Sequence, residues 1–167
     1  MPDLLDLLIW LTAIGCVVVG TGSLAMMTFV TDRLARLERA QAAERMLALV
    51  SVGERSLFAI ALYATAACCA VVFLLTAPSW IDVIWTDRRD WRSIWAFLGG
   101  AGYLLGAFVM MMTVMPHLKA HIRVASDDKQ DSALWQLFLR AWRIHFLGPA
   151  IFGIGAALAF VAALNAS

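Results

Sequence analysis

Polar and apolar positions fall in blocks along this chain. Four stretches, 7–30, 56–77, 93–115 and 144–164, carry almost no charge, and polar segments separate them. Each stretch reaches the roughly 20 residues that a helix needs to cross the hydrocarbon core of a bilayer. In lipid a backbone must satisfy its own hydrogen bonds, so such runs become helices. The pattern predicts an all-α integral membrane bundle of four transmembrane helices, forming a single transmembrane domain over 1–167.

The polar segments are patterned too. Residues 31–54 are rich in Ala, Leu, Glu and Arg, with Gly53 as the only breaker, which favours helix. Spans one and two are therefore expected to continue beyond the membrane as a helical hairpin. Ser126-Asp127-Asp128 reads as a turn. After it, Ser132 to Arg143 reads as helix, with Leu134, Leu137, Phe138 and Ala141 on one face.

Composition agrees with the pattern. The chain is 62% hydrophobic, above the roughly half-apolar usage of soluble domains. In 167 residues, four spans and short loops leave no room for a separate soluble domain. The first stretch is too long for a signal-peptide core and lacks preceding Lys or Arg, so it reads as a retained span. A net charge of +1 offers no field for nucleic acid. Cys16, Cys68 and Cys69 all fall in mid-span. Adjacent cysteines make a poor disulfide and no C-x-x-C pair exists, which counts against a quinone-linked thiol oxidoreductase of four-helix type. They read as small packing residues.

Charge sets the orientation. Arg33, Arg36, Arg39, Arg45 and Arg55 follow span one, and Lys119, Arg123, Lys129, Arg140 and Arg143 follow span three. The middle loop has only Arg88, Arg89 and Arg92, offset by Asp82, Asp87 and Asp90. The positive-inside bias puts the first and third loops in the cytoplasm and both termini outside, as for a bacterial inner (plasma) membrane. Trp80, Trp85, Trp91 and Trp95, with Trp10, form an outer aromatic belt in this reading, and Trp135 and Trp142 an inner one.

An internal repeat is visible. Met26-Met27-Thr28 matches Met111-Met112-Thr113, and at the same offset Arg55 matches Arg140. Two parallel-repeat helical hairpins, related by an axis along the membrane normal, would give this pattern, although so biased a composition also produces such matches by chance. Gly99, Gly102 and Gly106 make a small-residue face on span three, suited to close approach of another helix or to a flat ligand. Pro116 and Pro149 are placed to bend their helices. Gly148-Pro149 would open either a lateral entrance for a hydrophobic substrate or a packing adjustment.

Candidate chemistry is sparse. The three histidines, His117, His121 and His145, all lie at the inner ends of spans three and four. His117 and His121 share a helix face, and three imidazoles with an open position can hold zinc, copper or iron. Met110, seven residues before His117, could add a soft ligand. Asp32 corresponds to His117 in the repeat and could orient a histidine or complete the site. The same residues also read as interfacial histidines partnered by backbone or headgroups, and as a solvated face of ion pairs. No ionisable side chain sits in mid-span, which disfavours a proton-coupled pump or an ion channel. Thr12, Thr21, Ser23, Thr28, Tyr63, Thr65 and Tyr103 are left to bind an uncharged lipophilic molecule or to bond carbonyls one turn back.

The segment Thr113-Val114-Met115-Pro116-His117, then a polar turn, then Trp135 and Trp142-Arg143-Ile144-His145 before an Ala-rich last span, resembles small four-span anthrone-oxygenase-like membrane proteins. The glycine-rich first span (Gly20, Gly22, Phe29) is similar to that group as well. The family pattern has Asn where this chain has His117 and His145, and Arg where it has Leu147 and Gly148. The resemblance implies an oxygenase-like relative acting on lipophilic aromatic compounds.

Two classes of function follow. One is a membrane-embedded oxidoreductase or oxygenase-like protein acting on a lipophilic molecule, with a transition metal or haem held by His117, His121 and His145, and Asp32 and Met110 as accessories. The other is a non-catalytic accessory or assembly subunit, or a homo-oligomer, packing through the glycine face of span three. The bilayer is the partner in both.

Overall fold

The computed structural model describes residues 4–53, 56–86, 90–114, 122, 124 and 132–166. Its elements are all helical. Helix α1 (Leu4–Ala25) runs through a π-helical turn (Met26–Val30) into α2 (Thr31–Leu34); α3 is Arg39–Gly53 and α4 is Leu57–Thr86. Helix α5 (Trp91–Val109) also ends in a π-helical turn (Met110–Val114), and α6 is Ser132–Asn165. Four segments are long and apolar enough to cross a membrane: Leu4–Leu34, Leu57–Ser79, Trp91–Met112 and Trp135–Asn165. They contain nearly all of the four predicted stretches. Large apolar side chains such as Leu7, Leu74, Leu105, Ile151 and Leu158 point outward. An apolar exterior of this extent belongs against lipid. The protein is an all-α integral membrane bundle.

Successive spans run antiparallel. The four main contacts are α1 with α4, α4 with α5, α5 with α6, and α6 with α1; that between α1 and α6 is the most extensive. One end of the bundle holds Leu4, Asn165, the end of α4 and the start of α5, here called the terminal end. The other holds α2, α3 and the start of α6, here called the basic end. Helix α1 lies diagonally across from α5, and α4 from α6. Two hairpins related by an axis along the bundle would have this plan. The matched Met-Met-Thr motifs fall in or at the two π-helical turns, at corresponding ends of α1 and α5. The same offset also pairs Ile9 with Ile94, Trp10 with Trp95 and Gly15 with Gly100. The correspondence is one of plan rather than of every contact, since Gly15 and Gly100 both face α4.

Small residues hold the spans together. A Cβ added at Gly153 of α6 would lie 2.9 Å from the Cα of Gly20 and 3.0 Å from the carbonyl of Cys16, both on α1. Gly99 and Gly106 take Phe160 and Phe152 of α6 in the same way, Gly22 takes Phe58, and Gly15 meets Thr65. Lipid tails are as apolar as the helices, so association rests on packing of this kind. The expected glycine face of α5 is therefore used inside the bundle, with one exception: Gly102 meets nothing within 4 Å. Hydroxyls take the default path. Thr12 donates to the Leu8 carbonyl at 2.7 Å, Ser23 to Val19 at 2.8 Å and Thr76 to Val72 at 2.8 Å. At the first π turn, the Met26 carbonyl accepts both the Thr31 N–H, the i to i+5 bond of a π turn, and Thr31 Oγ1 at 3.1 Å.

The helix expected over 31–54 is interrupted. Residues 35–38 turn, with Leu37 N–H donating to the Leu34 carbonyl at 3.1 Å. The turn folds α3 back against the start of α6. Ala42, Ala43 and Met46 face inward, while Gln41, Glu44, Arg45 and Ala48 face out. Pro149 lies within α6, which stays helical through it. Gly148 faces open space.

Candidate functional site

A second core lies beyond the bundle at the basic end. It joins Leu34 of α2, Ala42, Ala43 and Met46 of α3, Ile122, and Trp135, Leu139 and Trp142 of α6. Leu37, Leu47, Val50, Phe138 and Phe146 pack around it. Along α6 the rings of Trp135, Phe138, Trp142 and Phe146 follow one another at centroid distances of 5.5, 6.1 and 5.5 Å. Spacings of three and four residues keep all four on one side of the helix. The face predicted for this segment is thus rotated: Leu137 and Ala141 are exposed, and the larger rings are buried instead. Trp135 and Trp142 also do not form a lipid-facing belt. They are 6% and 1% exposed, because α3 and the turn before it cover them.

Trp142 carries the most unusual polar atom of this core. Its indole Nε1 is buried and has no hydrogen-bond acceptor. Such an unmet donor costs about 1–3 kcal/mol, and tryptophans buried at this depth usually find a partner. The next residue, Arg143, donates to the Asp32 carboxylate of α2. This ion pair ties the ends of spans one and four together. Both side chains are about half exposed, so the pair contributes at most about 1 kcal/mol.

The predicted site residues are only partly brought together. Asp32 does lie at the basic end beside α6, but its carboxylate is engaged by Arg143. His145 is half-buried on α6, two residues further on. Met110, also half-buried, opens the second π turn, which packs against α6 as the first does. His117, His121 and Pro116 lie outside the described residues. Among the described residues, no three His, Cys, Asp or Glu side chains converge.

Three polar features escaped the sequence reading. Arg92 at the start of α5 reaches across the terminal end to Asp6 of α1 at 2.5 Å, and its Nε is buried without an acceptor. The pair spans the diagonal of the bundle, and each side chain is only about one-fifth exposed. Both residues sit at span ends, where a charge looks like an interfacial anchor. Asp90 caps α5 by accepting from Ser93 N–H at 3.3 Å. In the bundle centre Cys16 and Cys69 touch, with their sulfurs 3.9 Å apart. The partnership depends on the register between α1 and α4, which no local pattern encodes.

These features define a four-span membrane bundle with an aromatic-cored extension at its basic end. Comparison with protein-family models, curated proteins and solved structures finds no match to this chain.

Proposed function

We propose that this protein acts on a lipophilic molecule at its basic end, in an oxidoreductase or oxygenase-like role. The unmet Trp142 Nε1–H, set in a row of aromatic rings, carries the reading. A flat molecule with a carbonyl or phenolic oxygen would supply both the missing acceptor and ring stacking. His145 lies one turn along the same helix, and among the described residues the other buried side-chain polar atom without a partner is Arg92 Nε, at the terminal end. His117, His121 and His145 would hold a transition metal or haem in this reading, with Asp32 or Met110 as accessories. The resemblance to anthrone-oxygenase-like proteins points to the same substrate class. The basic end faces the cytoplasm and both termini lie outside, a reading supported by ten basic residues in the first and third loops of the sequence against three in the middle loop.

A second reading, an accessory subunit, is supported by Gly102. It opens onto empty space between the outward-facing Leu98 and Leu105, where a helix of another membrane protein could approach.

The absorption spectrum and metal content of protein purified in lipid nanodiscs separate the two. The first reading expects a Soret band or about one metal ion per chain, lost together in His117→Ala, His121→Ala and His145→Ala, since each ligand completes the geometry. It also expects Trp142→Phe to weaken binding of the co-purifying lipophilic molecule. Colourless protein whose metal content is indifferent to all three histidines overturns it in favour of the second.

A further inference from the structure

Cys16 and Cys69 lie 53 residues apart in sequence yet meet at the centre of the bundle, both fully buried. Each is held where a glycine admits the backbone of a neighbouring helix. The Cys16 carbonyl faces Gly153 of α6, and the Cys69 carbonyl faces Gly100 of α5; a Cβ on either glycine would sit 3.0 Å from that oxygen. The two thiols are therefore fixed by all four spans. Tyr103 stands beside them, its hydroxyl donating to the Leu62 carbonyl at 3.3 Å.

We propose that Cys16 and Cys69 form a two-sulfur site for a soft monovalent metal ion, Cu(I) or its analogue Ag(I). Geometry is the first argument. The sulfurs are 3.9 Å apart, too far for a disulfide, whose bond is about 2.05 Å. Two metal–sulfur bonds of about 2.3 Å at a two-coordinate ion span up to about 4.6 Å when linear, so the sulfurs would part by roughly 0.7 Å, a side-chain adjustment, to take one ion between them. Ligand number is the second argument. Among the described residues no third His, Cys, Asp or Glu joins the pair. Zinc takes four ligands in structural sites, whereas thiolate softness selects Cu(I), which accepts two.

Charge is the third argument, because an uncompensated ion in hydrocarbon is costly. Binding of M⁺ forms two metal–sulfur bonds and breaks one S–H bond. The proton leaves to bulk water, and one sulfur binds as thiolate and the other as thiol. The complex is neutral, and no electrons change hands.

The site is independent of the histidines, so its test is as well. Purified protein in nanodiscs would be titrated with Cu(I), kept reduced by ascorbate, against a chromogenic Cu(I) chelator. X-ray absorption would then be used to count sulfur neighbours. We expect about one Cu(I) per chain with two sulfur ligands, and more than tenfold weaker binding in Cys16→Ser and in Cys69→Ser. Cys68→Ser, next in sequence but outside the pair, should bind as the parent does. Ag(I) should compete and Zn(II) should not. Circular dichroism of the serine variants identifies any that fail to fold; for these, Cys16→Ala and Cys69→Ala take their place. Equal binding by the parent and the folded Cys16/Cys69 double variant overturns the proposal. So does loss of the site in Cys68→Ser, or preference for Zn(II).

Discussion

The two cores of this protein are built on opposite principles. In the spans, the interior is lined mostly by Ala, Cys, Val and Gly, with Ile9, Tyr103 and Phe160 set among them, and at Gly20 and Gly153 backbones approach until a single added carbon would clash. At the basic end, the interior is filled by two tryptophans, two phenylalanines, Met46 and leucines, under an α3 whose outer face is polar. The difference follows from the solvent on the far side. Lipid gives no reward for hiding apolar surface, so helices in it associate through close contact. Water gives about 25 cal/mol for each Å² hidden, so the extension gains most from its largest side chains. Each core should therefore be sensitive to the opposite kind of substitution: the extension to lost volume, the spans to added volume.

The largest effect is expected in the extension. Trp142→Ala removes a fully buried ring and should cost about 3–5 kcal/mol of its stability, read by urea-dependent proteolysis within α3. Trp142→Phe should cost far less, since it also removes the unmet N–H. A Trp142→Ala protein as protease-resistant as the parent would contradict the extension's aromatic core.

Adding volume should hurt the spans next. Gly153→Leu drives a side chain into the Gly20 backbone, and neither helix can yield cheaply. A loss of about 1–3 kcal/mol, or more, is expected in detergent unfolding. Gly102→Leu faces open space and should stay within about 0.5 kcal/mol of the parent. Equal effects of the two would mean that α1 and α6 do not approach as described.

The two ion pairs give the smallest and most graded comparison. Arg92→Gln leaves Asp6 half-hidden without its partner and should cost about 1–3 kcal/mol. Asp32→Asn breaks an exposed pair and should cost less than about 1 kcal/mol, fading as salt is raised. The reverse order would show that the Asp6–Arg92 pair is solvated.

Much of the fold was legible because its dominant signal is local. Twenty uncharged residues announce a span, and Ala, Leu, Glu and Arg announce α3. The back-bonded hydroxyls of Thr12, Thr21 and Ser23 follow the default for a hydroxyl in an apolar helix. Rotation about a helix was not legible. Gly99 and Gly106 point into the bundle, while Gly102, three residues from one and four from the other, opens outward. Nothing in their identity distinguishes them. Trp135 and Trp142 read as interfacial because tryptophan at a span end usually is; the covering α3 arrives from ninety residues earlier. The Asp6–Arg92 and Cys16–Cys69 partnerships needed inter-helix register. At the candidate site, the sequence placed Asp32 near the inner end of the bundle. It did not identify Arg143 as the partner or Trp142 as the unmet donor.

Hydrogen–deuterium exchange on Trp142→Ala in nanodiscs tests most directly the claim that lipid and water hold two separately built cores. Peptides covering α3 and the start of α6 should lose protection by at least tenfold. Those covering 9–23 of α1, 58–76 of α4 and 150–163 of α6 should exchange as in the parent. Uniform loss of protection through the spans would contradict the account, because the two cores would then open as one.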